Sequence, residues 1–194
     1  SSYALIVFIT SIFIGLCMGC SAVLSMQYGA KDIRQMKQSI FSSLLIVGGT
    51  TLLLNILSLA FLSPIIKILQ TPPELEAMTY RYLFLIFLGM IPMAVYNFYA
   101  FLLRSVGNSS SPLYFLLISV ALNIVLDVLF MVGLKMGVEG AALATVISQI
   151  VSAAGIYLYT WKQFPELRLS RDVRQINFSA IRKIASSSYL TCMQ

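Results

Sequence analysis

Five stretches of this chain are long, apolar and almost free of charge, and that pattern leaves few folds open. They cover residues 3–26, 40–66, 82–103, 113–134 and 140–161. A helix needs about 20 predominantly apolar residues to cross the hydrocarbon core of a bilayer. Each run meets that length, so each is expected to be a membrane-spanning helix. Only 10% of the 194 residues are charged, while 59% are hydrophobic. A soluble domain carries about 25% charged residues. A water-soluble particle of this size would lack the polar groups to cover its surface, so the solvent facing most of this chain is lipid.

The connections between the runs are loops by composition. Gly29-Ala30-Lys31-Asp32 follows the first run, and Pro64 with Thr71-Pro72-Pro73 follows the second. Gly107 to Pro112 follows the third, and Lys135-Met136-Gly137 the fourth. Such Gly and Pro clusters end helices. All 13 basic residues fall outside the apolar runs. Threading the runs alternately across a membrane puts Lys31, Arg34, Lys37, Arg104, Lys162, Arg168, Arg171, Arg174, Arg182 and Lys183 on one side. Only Lys67, Arg81 and Lys135 fall on the other. Loops rich in Lys and Arg stay in the cytoplasm, so Ser1 is expected outside and the segment after Trp161 inside. The net charge of +6 therefore reads as membrane orientation, with no nucleic-acid partner. A multi-pass protein of the cytoplasmic membrane is expected.

Residues 162–183 are basic, with Val173, Ile176, Ala180, Ile181 and Ile184 near helical spacing. They read either as an amphipathic segment on the cytoplasmic face or as a loop with a short helix. Residues 184–194 begin another apolar helix. Both chain ends, Ser1 and Gln194, lie beside or within apolar runs and read as cuts in a longer protein. No basic n-region or cleavage pattern marks a secretory signal.

Enzyme chemistry finds little here, and none is expected. The chain has no His, the commonest general base, and no nucleotide-binding or nucleophile-elbow pattern. Cys17 and Cys20 form a C-x-x-C inside an apolar run, without the further ligands a zinc site needs, and read as small packing residues. Gly15 and Gly19, and the stripe Gly140, Ala144, Ser148, are spaced to let helices approach closely in lipid. Pro92 interrupts the third run and is expected to kink it.

One charge lies inside an apolar run: Asp127. A carboxylate at the centre of a bilayer costs about 2.5–3.5 kcal/mol on insertion scales and so faces the bundle interior or a wet cavity. Asn123 stands four residues earlier, which puts both side chains on one helix face. Such a pair is able to take up and release a proton, or to help ligate a hard monovalent cation such as Na⁺ through oxygen donors. The plainer reading is a pair of helix-packing hydrogen bonds, but these average only about 0.6 kcal/mol in membranes, too little to offset the burial. Asn55 and Asn97 lack a charged neighbour in sequence and read as packing groups.

Several ordered pieces of the chain resemble a known family. They are Gln27-Tyr28-Gly29-Ala30-Lys31-Asp32, Leu103-Arg104-Ser105-Val106-Gly107 with Pro112, Asn123-Ile124-Val125-Leu126-Asp127, and Gly137-Val138-Glu139-Gly140-Ala141-Ala142-Leu143-Ala144-Thr145. Together they resemble the N-terminal lobe of multidrug and toxic compound extrusion (MATE) transporters. The resemblance implies an all-α membrane protein, a bundle of five full transmembrane helices matching helices 2–6 of a twelve-helix fold. Residues 1–161 would be lobe helices, 162–183 the cytoplasmic connection between lobes, and 184–194 the start of the second lobe. The first helix and the C-terminal lobe would be missing partners of the same protein. The second lobe of the family usually opens on Gly-x-Pro, where this chain has Ala185-Ser186-Ser187-Ser188.

The resemblance also implies a cation site. Asn123 and Asp127 would join Thr145, with the carbonyl of Ala141 nearby and an Asp from the missing first helix. No cofactor is implied beyond a bound proton or Na⁺. The expected function is cation-coupled export of small organic, cationic compounds. A lipid-linked oligosaccharide flippase of the same superfamily is the alternative, disfavoured because no Lys or Arg lies within the five runs. A non-transporting scaffold subunit is the other; it would need no buried Asp.

Overall fold

The computed structural model describes residues 2–61 and 73–167. The amphipathic segment expected at 162–183 therefore passes outside the described residues at 168, and the helix start expected at 184–194 lies wholly outside them. The described residues form an all-helical bundle with no strand. The helices are α1 Ser2–Gly29, α2 Ile33–Ala60, α3 Pro73–Leu88, α4 Met90–Ser105, α5 Ser110–Asp127 and α6 Val138–Gln163. A π-helical turn, Val128–Gly133, continues α5, and a 3₁₀ turn, Pro165–Leu167, follows α6. Among the described residues, four segments are long and apolar enough to cross a membrane: Ile33–Ala60, Glu76–Ser105, Ser110–Gly133 and Val138–Gln163. The first apolar run is carried by α1, a 28-residue helix.

Local chemistry sets the helix ends. At the start of α2, Asp32 Oδ1 accepts a hydrogen bond from the Gln35 backbone N–H at 3.0 Å, satisfying one of the helix's free amides. This starts α2 ahead of its apolar run, and Arg34 and Lys37 occupy its first turns, where long basic side chains reach back to water. Asp32→Ala is expected to lower stability by about 1 kcal/mol, read as a lower thermal midpoint of the detergent-solubilised full-length protein. The end of α4 explains Arg104-Ser105-Val106-Gly107. Gly107 adopts φ 86° and donates to Arg104 O, while Asn108 N–H reaches Leu103 O at 2.9 Å. That paired closure needs a residue that tolerates the left-handed region. Asn108 then turns round and accepts from Ser111 N–H at 3.1 Å, so one loop closes α4 and opens α5.

The third span is interrupted once. It divides at Gly89 into α3 and α4. Pro92 supplies the cause: with no N–H it leaves the carbonyl four residues back, that of Leu88, without its helical partner, and α3 ends at Leu88. Buried Asn55 of α2 donates its side-chain amide to Phe87 O beside the break. Asn97 bonds Met93 O within α4 at 2.9 Å. Asn55 therefore makes a helix-packing bond, whereas the bond of Asn97 stays within its own helix.

One core joins α1, α2 and α4 through Cys17, Cys20, Leu24, Met36, Ile40 and Leu102. Cys17 and Cys20 are buried free thiols within it. Gly15 and Gly19 are buried in the same helix. A second core joins α4 to α6 through Ala100, Leu103 and Ile156, with Phe115 of α5 against it. These contacts rest on close packing of small and apolar side chains, which is what holds helices together in lipid.

Candidate functional site

The site lies along the seam where antiparallel α5 and α6 meet. Going up α5, the Phe115 carbonyl accepts from Ser152 Oγ at 3.2 Å. One turn on, Ser119 Oγ donates to Ser148 O at 3.2 Å. A further turn on, Asn123 Nδ2 donates to Thr145 Oγ1 at 3.3 Å. Thr145 Oγ1 in turn donates to Ala141 O at 2.9 Å. Residues 115, 119 and 123 are four apart, so they share one face of α5. The α6 residues descend in register with them.

The next position on that face is Asp127. Its Oδ1 is buried and has no hydrogen-bond partner among the described residues. Three rungs of this polar ladder are closed and the fourth is open. A polar atom left in that condition costs about 1–3 kcal/mol, more when charged. A proton, a monovalent cation or a donor from a further segment would remove the cost.

Of the four residues expected to form a site, Asn123, Thr145 and Ala141 are thus linked by hydrogen bonds, and Asp127 stands one turn beyond them. All four are half-buried. Asn123 engages through its amide nitrogen, so its carbonyl oxygen takes no part in that bond. The oxygens of Asp127, Asn123, Thr145 and Ala141 are hard donors, suited to a hard cation.

Two further features of the site lie outside the residues expected from sequence. The π-helical turn begins at the residue after Asp127 and is closed by Leu134 N–H to Leu129 O at 3.0 Å. Such turns inside helices are frequent at functional sites. The second feature is Gln149, one turn along α6 from Thr145. It lines a cavity of about 290 Å³ between α1, α4, α5 and α6, together with Asn97, Ser119, Ser152, Tyr96 and Met93. A polar residue four after Thr145 in an otherwise apolar run was the available signal for it. Near the end of the bundle that carries the α5–α6 connection, Arg81 of α3 pairs with Glu139 of α6 at 3.3 Å.

Comparison with known proteins gives this geometry a context. The MatE family model matches residues 2–129. The probable multidrug resistance protein YpnP of Bacillus subtilis (strain 168) is 30% identical over 148 residues, 76% of this chain and 33% of that protein. The multidrug export protein MepA of Staphylococcus aureus (strain NCTC 8325 / PS 47) is 30% identical over 178 residues, 89% of this chain and 39% of that protein. The chain thus spans between a third and two fifths of the length of these relatives. Among solved structures, a MATE protein in its bent conformation superposes with a TM-score of 0.91 at 20% identity, over 98% of this chain and 43% of that one. An inward-facing MATE transporter gives 0.88 at 20% identity, over 95% of this chain and 42% of that one. These superpositions establish the shared fold. With the family model matching most of its residues, this chain is a member of the MatE family.

Proposed function

We propose that this chain forms most of one lobe of a cation-coupled exporter of small organic, cationic compounds in the cytoplasmic membrane. In this reading Asp127 binds a proton or Na⁺, with Asn123, Thr145 and the carbonyl of Ala141 supplying the remaining oxygens. Residues 1–161 serve as lobe helices, 162–183 as the cytoplasmic connection, and 184–194 as the start of the second lobe. The observation that carries the reading is the open fourth rung, a buried carboxylate oxygen without a partner beside three closed polar rungs. The relatives named as multidrug resistance and export proteins support the substrate class. So does the neutral lining of the cavity beside the ladder, which suits an organic cation better than the anionic lipid carriers of a flippase.

A cation shifts the balance of inward and outward forms only by its differential affinity for them. Binding at Asp127 closes the open rung, and the form that brings a further donor to it is favoured. The test is efflux of a fluorescent cationic dye from vesicles bearing the full-length protein, with Na⁺ and proton gradients imposed separately. One of the two gradients is expected to drive efflux. Efflux indifferent to both would refute the coupling.

A further inference from the structure

We propose that the break at Gly89 is a hinge of the third span, and that Gln149 links its angle to the state of the cation site. The inference rests on the proposed coupling at Asp127 and extends it to the part that moves.

Four observations converge on the break. The span changes from α3 to α4 at Gly89, where Pro92 has removed a helical hydrogen bond. Against Gly89 sits α6: a Cβ added there would lie 3.0 Å from Gln149 Oε1 and 3.0 Å from Val146 Cγ2. The break is therefore packed by the residues that flank the turn below Thr145. Gln149 shares a helix face with Thr145 and Ala141, four residues apart, so rotation or sliding of α6 at the cation site carries Gln149 with it.

The two halves of the span are held differently. Close to the break, buried Asn55 of α2 ties Phe87 O. Midway along it, α3 is tied to α6 by the Arg81–Glu139 pair, whose Arg side chain is 70% exposed. An exposed ion pair of that kind is weak, about 0–1 kcal/mol, and is easily opened. The segment is thus packed near the break by buried Leu83 and Phe87 and held midway by a weak ion pair, which leaves the part beyond Arg81 free to swing as a lever. The arm α3 has 16 residues and is about 24 Å long at 1.5 Å per residue. A turn of about 20° at Gly89 moves its tip by about 8 Å.

Because Gln149 also lines the 290 Å³ cavity, a compound lodged there touches the residue that packs the hinge. Cation and substrate thus act on the same contact.

The test uses spin labels on Met78 of α3 and Met136, both exposed, in the full-length protein reconstituted in vesicles. Met78 lies about 16 Å from Gly89 along the helix, so adding the coupling cation is expected to change the label separation by about 6 Å, and Asp127→Asn is expected to abolish the change. Gly89→Ala is expected to reduce efflux about tenfold, within the range of coupling between linked sites, and to freeze the separation. Gln149→Ala alone removes the proposed link while leaving the break in place, and is expected to abolish the cation-dependent change in separation; a change that persists in it overturns Gln149 as the link. A label separation that does not respond to the cation, in protein whose efflux follows the ion gradient, overturns the hinge and leaves the coupling intact. Efflux indifferent to both ions overturns the coupling itself. Should Gly89→Ala fail to insert, the labels on the otherwise unaltered protein decide the matter alone.

Discussion

Replacing Asp127 by Asn is expected to reduce gradient-driven efflux by about 100-fold, the equivalent of losing an interaction of about 3 kcal/mol with a charged group. The amide keeps the shape of the carboxyl but can neither carry the negative charge nor exchange a proton. The fold has no reason to suffer. Asp127 Oδ1 makes no hydrogen bond among the described residues, so the substitution breaks none there, and it removes the cost of holding a carboxylate among apolar helices. The thermal midpoint of the variant is expected to equal or exceed that of the unaltered protein. Efflux assays and thermal unfolding of the same preparation separate the two effects. A variant that still exports dye in step with the ion gradient would remove Asp127 from the mechanism.

The second large effect is expected from Gly140→Val, and here the fold is the target. Gly140 opens α6 against the π-helical turn that follows Asp127. An added Cβ would lie 3.0 Å from Phe130 Cβ, 3.1 Å from Met136 Cβ and 3.3 Å from the Phe130 carbonyl carbon. These atoms belong to the backbone or sit next to it, so no flexible side-chain tip is available to move aside. The strain must be taken up by separating α6 from the turn, at a cost of about 1–3 kcal/mol for inserted bulk in a packed site. Separation at that point also pulls Thr145 from Asn123. The variant is therefore expected to lose both thermal stability and ion-driven efflux, in contrast to Asp127→Asn, which loses efflux alone. Retention of normal stability by Gly140→Val would show that the seam near the π turn is looser than these distances imply.

These two substitutions mark where local sequence stops being informative. That Asp127 and Asn123 act together is visible in their spacing, because a helix fixes which residues four apart share a face. The link from Asn123 to Thr145 came only through likeness to a family. Nothing in the spacing of 22 residues between them says that the two helices meet at that depth and rotation. The polar ladder is legible only in hindsight. Ser119, Ser148 and Ser152 are common residues in apolar helices, and only the seam shows that they pair in register. Pro92 foretold an interruption of the third run, yet the neighbours that meet at Gly89, Asn55 from α2 and Gln149 from α6, belong to distant parts of the chain. The π turn had no signature at all in Val128–Gly133, which reads as unbroken apolar helix.

By itself, then, the sequence determined that this protein resides in a membrane as a set of long helices and that one carboxyl lies among them. Run length, charge and backbone hydrogen bonding within a helix are properties of contiguous residues. The tertiary structure alone decided that the carboxyl ends a row of closed polar contacts and that a broken span leans on the same helix. Those facts depend on the rotation and depth at which separate helices pack, and packing in lipid is governed by side chains that touch across the bundle.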